Sequence, residues 1–374
     1  MFSYSGKENT ALHPSIDSHV QNFIHLIRSK YLSTDKDYRP MDLSRKAQFF
    51  TLDVITDIAY SQPMGDLVED DDVYKYVQST EEMIEVIIIL SSIPILNDIL
   101  QIKWIAKLLF PSEKDSTGVG RLIAISQQLV RDRFGPKAVH RDDDMMASFI
   151  RHGVPEEELV SESLIQILAG SDTSATHIRS TMLYLMSHPT CYNRLQQEID
   201  DAIHAGKISS PVVADAEARE LPYLQAVIKE GLRIYPPVTG TMTKVVPPEG
   251  DTVTLTDTNE TVYIPGGTEI GQSAWALHRS KAIYGPDADD FRPERWLIED
   301  GEKLQRMLRS VELVFGYGKY QCLGRQVAMI ELNKIYVELF RNFNWALCDP
   351  TKPWTSENVG LWIQKNEWVK VTAR

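Results

Sequence analysis

The stretch FGYGKYQCLG, residues 315–324, sets one cysteine after two glycines and just before an apolar-striped segment. Apolar residues at 327, 330, 332, 335, 336, 339 and 340 predict a helix whose N-terminus starts at that cysteine. The free N–H groups and positive end of such a helix favour a thiolate over a thiol at Cys322. No histidine or second cysteine stands beside it, so it makes a poor zinc ligand. It suits a single axial bond to a haem iron, or a catalytic nucleophile if the fold supplies a histidine base. Gly316, Gly318 and Gly324 let the backbone approach a flat or bulky group closely.

A second set lies in AGSDTS, residues 169–174, inside the helical pattern of Ser163 to Met186. Gly170 costs about 1 kcal/mol against alanine in a helix interior, and Ser171, Asp172, Thr173 and Ser174 compete with the backbone ladder. The Thr173 hydroxyl lies one turn from the Ala169 carbonyl and can capture it, which predicts a locally loosened helix. A small residue followed by an acid and an alcohol fits a site that admits a ligand beside a helix and hands it protons. A bent helix without chemistry is the competing reading.

The third set is KEGLRIYPP, residues 229–237, with FRPERW, residues 291–296. Glu230 and Arg233 sit three apart on a helix that runs from Pro222 to the proline pair, and a surface ion pair is the default expectation for that spacing. Arg295, between a proline and two aromatics, points instead to a fixed, partly buried network in which every charge is matched.

The elements that position these residues are mostly helical. Asp42 to Tyr60 and Asn193 to Ile203 carry apolar stripes of helical period. After Pro236 the texture changes: residues 252–255 and 261–264 read as a strand pair, 265–268 as a turn, and the tail from Leu361 as a hairpin around Lys365 and Asn366. The acidic run Asp66 to Asp72 reads as a solvated loop. The expected class is therefore mainly α with small β-sheets, in one domain over residues 1–374, helix-rich to 235 and mixed beyond.

The chain has 374 residues, 43% hydrophobic and 24% charged, with a net charge of −13. It can bury a large core. The charge argues against nucleic acid or an anionic membrane as the main partner. Three cysteines far apart argue against a disulfide framework and point to a reducing compartment, with Cys191 and Cys348 as packed thiols. No signal peptide opens the chain. Val86 to Leu96 is too short to span a bilayer and reads as a buried helix and turn, or as a surface for peripheral membrane contact or a pocket roof.

AGSDTS, EGLR, FRPERW and FGYGKYQCLG, in that order and spacing, resemble the cytochrome P450 haem-thiolate monooxygenases, and the phrasing is most similar to fungal members of secondary metabolism. The resemblance implies the cytochrome P450 fold and haem b (iron protoporphyrin IX) bound through Cys322 as axial ligand, with Phe315, Gly318, Tyr320, Gly324 and Lys244 around it. It implies that Asp172 and Thr173 relay protons to dioxygen, with Gly170 giving dioxygen room, and that Glu230, Arg233 and Arg295 form a structural triad behind the haem-binding loop. Ile165 to Thr173, Val238 to Thr243 and Asn358 to Trp362 are implied to line a pocket for an apolar small molecule. Without a flavin or nicotinamide fingerprint, electrons are expected from NADPH-cytochrome P450 reductase.

The sequence departs from the family in two ways. Tyr320 stands where a basic residue usually holds a haem propionate; Lys319 or Lys244 can supply the charge. SYSGKEN at the start resembles sequence just after a helix that follows the family's membrane anchor, first strands and gating loop, so the fold is expected to lack that N-terminal segment. Full-length members sit on the cytoplasmic face of the endoplasmic reticulum. Three readings follow: an active monooxygenase, a truncated and catalytically inactive remnant without stoichiometric haem, and a cysteine hydrolase.

Overall fold

The computed structural model describes residues 8–82, 118–134, 142–255 and 258–374, together with Tyr4, Ile93 and Ile102. The run Val86 to Leu96 lies outside the described residues apart from Ile93. The longer helices are α1 (Leu12–Leu26), α2 (Leu43–Tyr60), α3 (Gly118–Phe134), α4 (Glu156–Ser187), α5 (Pro189–His204), α6 (Pro222–Ile234), α7 (Gly301–Glu312) and α8 (Arg325–Asn342). Residues 76–82 are also helical. The strands are β1 (Met41–Asp42), β2 (Lys244–Val245), β3 (Asp251–Thr254), β4 (Thr261–Ile264), β5 (Glu269–Ile270), β6 (Phe343–Leu347), β7 (Thr355–Asn358), β8 (Trp362–Lys365) and β9 (Trp368–Ala373). The chain is mainly helical with small antiparallel sheets, as the sequence predicts.

The stripe on α2 implies one buried face, yet nearly the whole circumference is buried, Lys46, Gln48, Thr51, Asp53 and Thr56 included. Burying those polar groups requires partners, and α4 supplies them: Thr51 donates to the Ser171 carbonyl at 2.9 Å, Gln48 to Asp172, and Tyr60 to the Gln166 side chain at 2.7 Å. Asp42 caps α2 by accepting from the Ser44 N–H at 3.0 Å. α8 is likewise buried on all sides from Ile330 to Phe340 and forms the second central helix.

α4 runs unbroken through AGSDTS. Thr173 does donate to the Ala169 carbonyl at 2.8 Å, and Ser171 to the Ile167 carbonyl at 2.8 Å, but both bonds are accommodated within a continuous helix, so the predicted loosening does not occur. A Cβ at Gly170 would stand 2.6 Å from Ile55 Cγ1 of α2. The side Gly170 leaves clear is thus filled by Ile55 and serves helix–helix approach, which corrects the expectation that it gives dioxygen room. Gly170→Ala should lower stability by about 1–3 kcal/mol through overpacking, against the gain of up to ~1 kcal/mol that helix propensity alone would give. Urea unfolding of the two proteins distinguishes the signs.

Two expectations about loops fail for long-range reasons. The tail is not one hairpin. β8 pairs with β7, whereas β9 lies between β1 and β6, and the turn at Asn366, φ 63°, passes the chain from one sheet to the other. The acidic run is not wholly solvated either. Residues Asp66–Glu69 form a helical turn, Asp66 and Asp72 are buried, and Asp53 of α2 accepts from the N–H groups of Gly65, Asp66 and Leu67. The strand pair β3–β4 matches its prediction.

Candidate functional site

The loop before α8 is folded back on itself. The Cys322 N–H donates to the Phe315 carbonyl at 2.6 Å, and the Gln321 N–H to the Gly318 carbonyl at 3.2 Å. Gly316 makes the closure possible: its φ is +70°, and a Cβ there would stand 2.6 Å from the Tyr320 carbonyl oxygen. α8 begins at Arg325, three residues past the cysteine, and the backbone N–H groups of Gly324 and Arg325 act electrostatically on the sulfur. Burial on the protein side raises the thiol pKa, and those two N–H groups with the Arg325 charge oppose the rise without cancelling it. The net effect runs against the thiolate expected from the helix terminus alone. Cys322 nonetheless remains exposed, as do its neighbours Tyr320 and Leu323. Gly318, at φ +60°, has nothing near its missing Cβ, and a Cβ at Gly324 would lie 3.8 Å from the sulfur.

Tyr320 lies beside two cations. The Lys244 ammonium of β2 lies 4.5 Å from the centre of its ring and that of Lys319 5.5 Å, while Lys244 also donates to the Met242 carbonyl at 2.8 Å. The phenol thus brings a lysine into the position where its own side chain has no charge.

Glu230, Arg233 and Arg295 form one buried cluster. Arg233 grips Glu230 with Nε at 2.9 Å and Nη2 at 2.8 Å, and Arg295 Nε reaches Oε1 at 2.9 Å. Trp296 Nε1 and the Arg292 N–H complete the carboxylate's shell. All three charged side chains are essentially inaccessible to solvent, which overturns the surface-pair default for Glu230 and Arg233. The two guanidinium groups bind the carbonyls of His278, Tyr284, Asp287, Ala288 and Asp290, so the cluster stitches α6 to the irregular segment ahead of FRPERW.

On α4 the acid and the alcohol diverge. Thr173 turns to the Ala169 carbonyl near the exposed Ile165 and Ala169. Asp172 turns to α2 and to residue 76, accepting from Gln48 at 2.8 Å and from the Tyr76 hydroxyl at 3.5 Å. Burial raises its carboxyl pKa, and Arg179 with the Gln48 bond draws it back. No hydrogen bond joins Asp172 to Thr173 among the described residues. The N-terminal half of α4 is tied to the cysteine's neighbourhood by Tyr4: it accepts from Gln166 at 2.9 Å, and its pKa is raised by burial first, with Glu162 and Cys322 adding to the rise.

Two of the three expected pocket segments are zipped together. The N–H groups of Thr239 and Gly240 donate to the Gly360 carbonyl, and Thr239 bonds Asn358. Trp362, at the end of the second, lines a cavity with Asp172, so the C-terminal segment reaches the acid.

Sequence reasoning misses several partners. Arg179 lies two turns beyond Asp172 on the same face of α4, a spacing visible in the sequence; Gln48 and Tyr76 come from elements that give no such signal. Glu331 of α8 is also missed. Fully buried, it accepts from Ser174 at 2.8 Å, and burial pushes its pKa to about 8. A carboxyl raised from 4.5 holds more protons folded than unfolded between those values, so stability falls as pH rises through that window. Glu331→Gln keeps the Ser174 bond and should stabilise the protein near neutral pH by about 2 kcal/mol, flattening the slope of stability between mildly acid and neutral pH; unfolding midpoints against pH check this.

The donor set fits a haem bound by one thiolate. Among the described residues no group of three or more His, Cys, Asp or Glu side chains is arranged to hold a metal ion, while Cys322 is exposed just ahead of α8, with Lys244 and Lys319 at Tyr320 two residues before it. The sequence matches the family model described as Cytochrome P450 over residues 1–371. It is 42% identical to the cytochrome P450 monooxygenase ABA1 of Pyricularia oryzae, over 99% of this chain and 72% of that protein. It is 39% identical to the cytochrome P450 monooxygenase aba1 of Botryotinia fuckeliana, again over 99% and 72%. It is 34% identical to the cytochrome P450 monooxygenase abl1 of Leptosphaeria maculans, over 98% of this chain and 64% of that one. The cysteine loop, the buried acid–arginine cluster and a match over almost every residue lead to one conclusion: this chain belongs to the cytochrome P450 family of oxidoreductases.

Proposed function

We propose that the chain is a haem-thiolate monooxygenase that inserts one atom of O2 into an apolar small molecule of fungal secondary metabolism, with electrons from NADPH-cytochrome P450 reductase. The observation that carries this is Cys322, exposed just ahead of α8 on a loop closed by its own N–H bond to the Phe315 carbonyl. Cys322 holds haem b, the Phe315–Cys322 loop fixes the sulfur, and Lys244 and Lys319, drawn to Tyr320, neutralise the propionates. When bound, the haem supplies reductive activation of dioxygen, and thiolate donation favours O–O cleavage.

Cys322 would hold the iron through its deprotonated sulfur. The second oxygen atom leaves as water, which consumes two protons. Asp172 supplies them and Thr173 positions their acceptor; the separation of the two side chains is crossed by a bridging water. The zipped 238–240 and 358–360 segments, joined by the Thr239–Asn358 bond, and Trp362 border the substrate. No described helix is long and apolar enough to cross a membrane; the cytoplasmic face of the endoplasmic reticulum is the place that kinship with full-length family members implies.

Asp172→Asn and Thr173→Ala should each keep haem binding but lower product formed per NADPH by about tenfold, diverting reducing equivalents to peroxide or water. Measurement of NADPH, peroxide and product in parallel with added reductase checks this. Unchanged coupling in both variants contradicts the assigned roles.

A further inference from the structure

Tyr235 closes α6 in the run IYPP. The residue ahead of a proline is pushed out of helical geometry, and Tyr235 accordingly leaves the helix at φ −136° and ψ 69°. Its side chain is nonetheless buried. Three tryptophans gather round the ring: Trp362 with centroids 4.2 Å apart, Trp354 at 5.5 Å, and Trp275, from the helical turn Ala274–Leu277, edge-on at 6.0 Å. Trp275 also meets Trp362 at 5.5 Å. Aromatic pairs at such spacings attract by more than the area they bury. The Tyr235 hydroxyl shares a hydrogen bond of 2.6 Å with the Ser356 hydroxyl. Trp275 is itself fixed, because the Arg279 guanidinium lies 3.2 Å from its ring centre and donates to the Ile234 carbonyl at 2.6 Å.

These contacts fall on both legs of one hairpin. Trp354 stands just before β7, Ser356 lies in it, and Trp362 opens β8, which pairs with β7. The tip is pinned separately. Trp362 Nε1 donates to the Pro236 carbonyl at 2.9 Å, Val238 bridges to Leu361, and the N–H groups of Thr239 and Gly240 reach the Gly360 carbonyl. Those bonds fix which residues of the tip meet 236–240, but they leave the hairpin able to tilt about that line. The rings at its base remove the tilt, and each has only two side-chain torsions to immobilise. Trp362 belongs to both sets of contacts and lines the cavity with Asp172, so any tilt moves its indole relative to the acid.

We propose that Tyr235 is a positioning residue that sets the length of the substrate pocket: by clamping the base of the β7–β8 hairpin it holds Trp362 at one distance from α4 and limits the apolar molecule that fits between them. This rests on the reading of Cys322 as a haem ligand with the hairpin bordering the substrate, and the test separates the two.

Ferric haem-loaded protein is titrated with imidazole, 1-butylimidazole and 1-dodecylimidazole, and the Soret shift gives each Kd. In wild type the dodecyl chain should bind no more tightly than the butyl chain. Tyr235→Leu, which frees the hairpin, should tighten 1-dodecylimidazole about tenfold while imidazole itself changes by less than about twofold, and Trp354→Leu, on the outer leg where folding is least at risk, should give about threefold. Tyr235→Phe keeps the ring, loses only the Ser356 bond, and should keep the wild-type ratio. Amide hydrogen exchange across 356–362, followed by mass spectrometry with and without haem, should be about tenfold faster in Tyr235→Leu, with the β6–β9 ladder unchanged. A dodecyl-to-imidazole ratio in Tyr235→Leu and Trp354→Leu equal to that of wild type overturns the proposal, as does an equal loss of affinity for all three ligands or unaltered exchange across 356–362. Failure to bind thiolate-ligated haem overturns the monooxygenase reading instead, and the exchange measurement then decides whether Tyr235 clamps the hairpin.

Discussion

Glu230→Ala is expected to cost about 3–5 kcal/mol of folding stability, enough to remove most soluble protein at growth temperature. The carboxylate accepts five hydrogen bonds: three from the guanidinium groups of Arg233 and Arg295, one from the Trp296 indole and one from the Arg292 N–H. Removing it leaves the buried Arg233 without a counter-ion and the buried Arg295 with only Asp287 at 3.5 Å, and the remaining carbonyl partners cannot neutralise the charge of Arg233. Glu230→Gln preserves the shape and should fall between alanine and wild type. Arg194→Ala breaks an exposed pair with Glu294 at 3.2 Å and should cost less than ~1 kcal/mol. Urea midpoints of the three variants give the order. A Glu230→Ala cost no larger than that of Arg194→Ala would contradict the cluster's structural role.

Cys322→Ser is expected to abolish thiolate-ligated haem while leaving the fold intact. The Cys322 backbone N–H, which closes the loop on Phe315, is unaffected by the substitution, and the N–H groups of Gly324 and Arg325 act on a serine hydroxyl likewise. Folding stability should therefore change by less than ~1 kcal/mol. A serine is a far weaker iron ligand and lacks the electron donation of sulfur, so turnover with reductase and NADPH should fall below detection. Circular dichroism with haem titration separates loss of ligand from loss of fold. Retained turnover would instead make the cysteine dispensable.

Local chemistry was legible in the sequence wherever it depends on neighbours along the chain. The helix limits near Pro222 and Tyr60, the β3–β4 pair and the Thr173 bond to Ala169 all follow from period, caps and one-turn spacing. Long-range partners were not. The 361–371 tail looks like a hairpin because β8 and β9 are adjacent, yet β9 satisfies its ladder with β6 and β1. Gly170 looks like a vacancy until Ile55 of α2 is placed against it. Burial inverted two electrostatic expectations: it made the Glu230–Arg233 pair a core cluster, and at Cys322 it outweighs the helix terminus that favours a thiolate. The acid and alcohol of AGSDTS were legible as chemistry, but their divergence, Asp172 to Gln48 and Thr173 to the exposed side, depends on a helix more than a hundred residues earlier.

The central claim is that Cys322 binds haem iron as a thiolate. Purified protein loaded with haem, reduced and exposed to carbon monoxide should show the red-shifted Soret band of a thiolate-ligated haem, absent in Cys322→Ser. A Soret band at the position of histidine-ligated or unligated haem, or no stoichiometric haem at all, would contradict it.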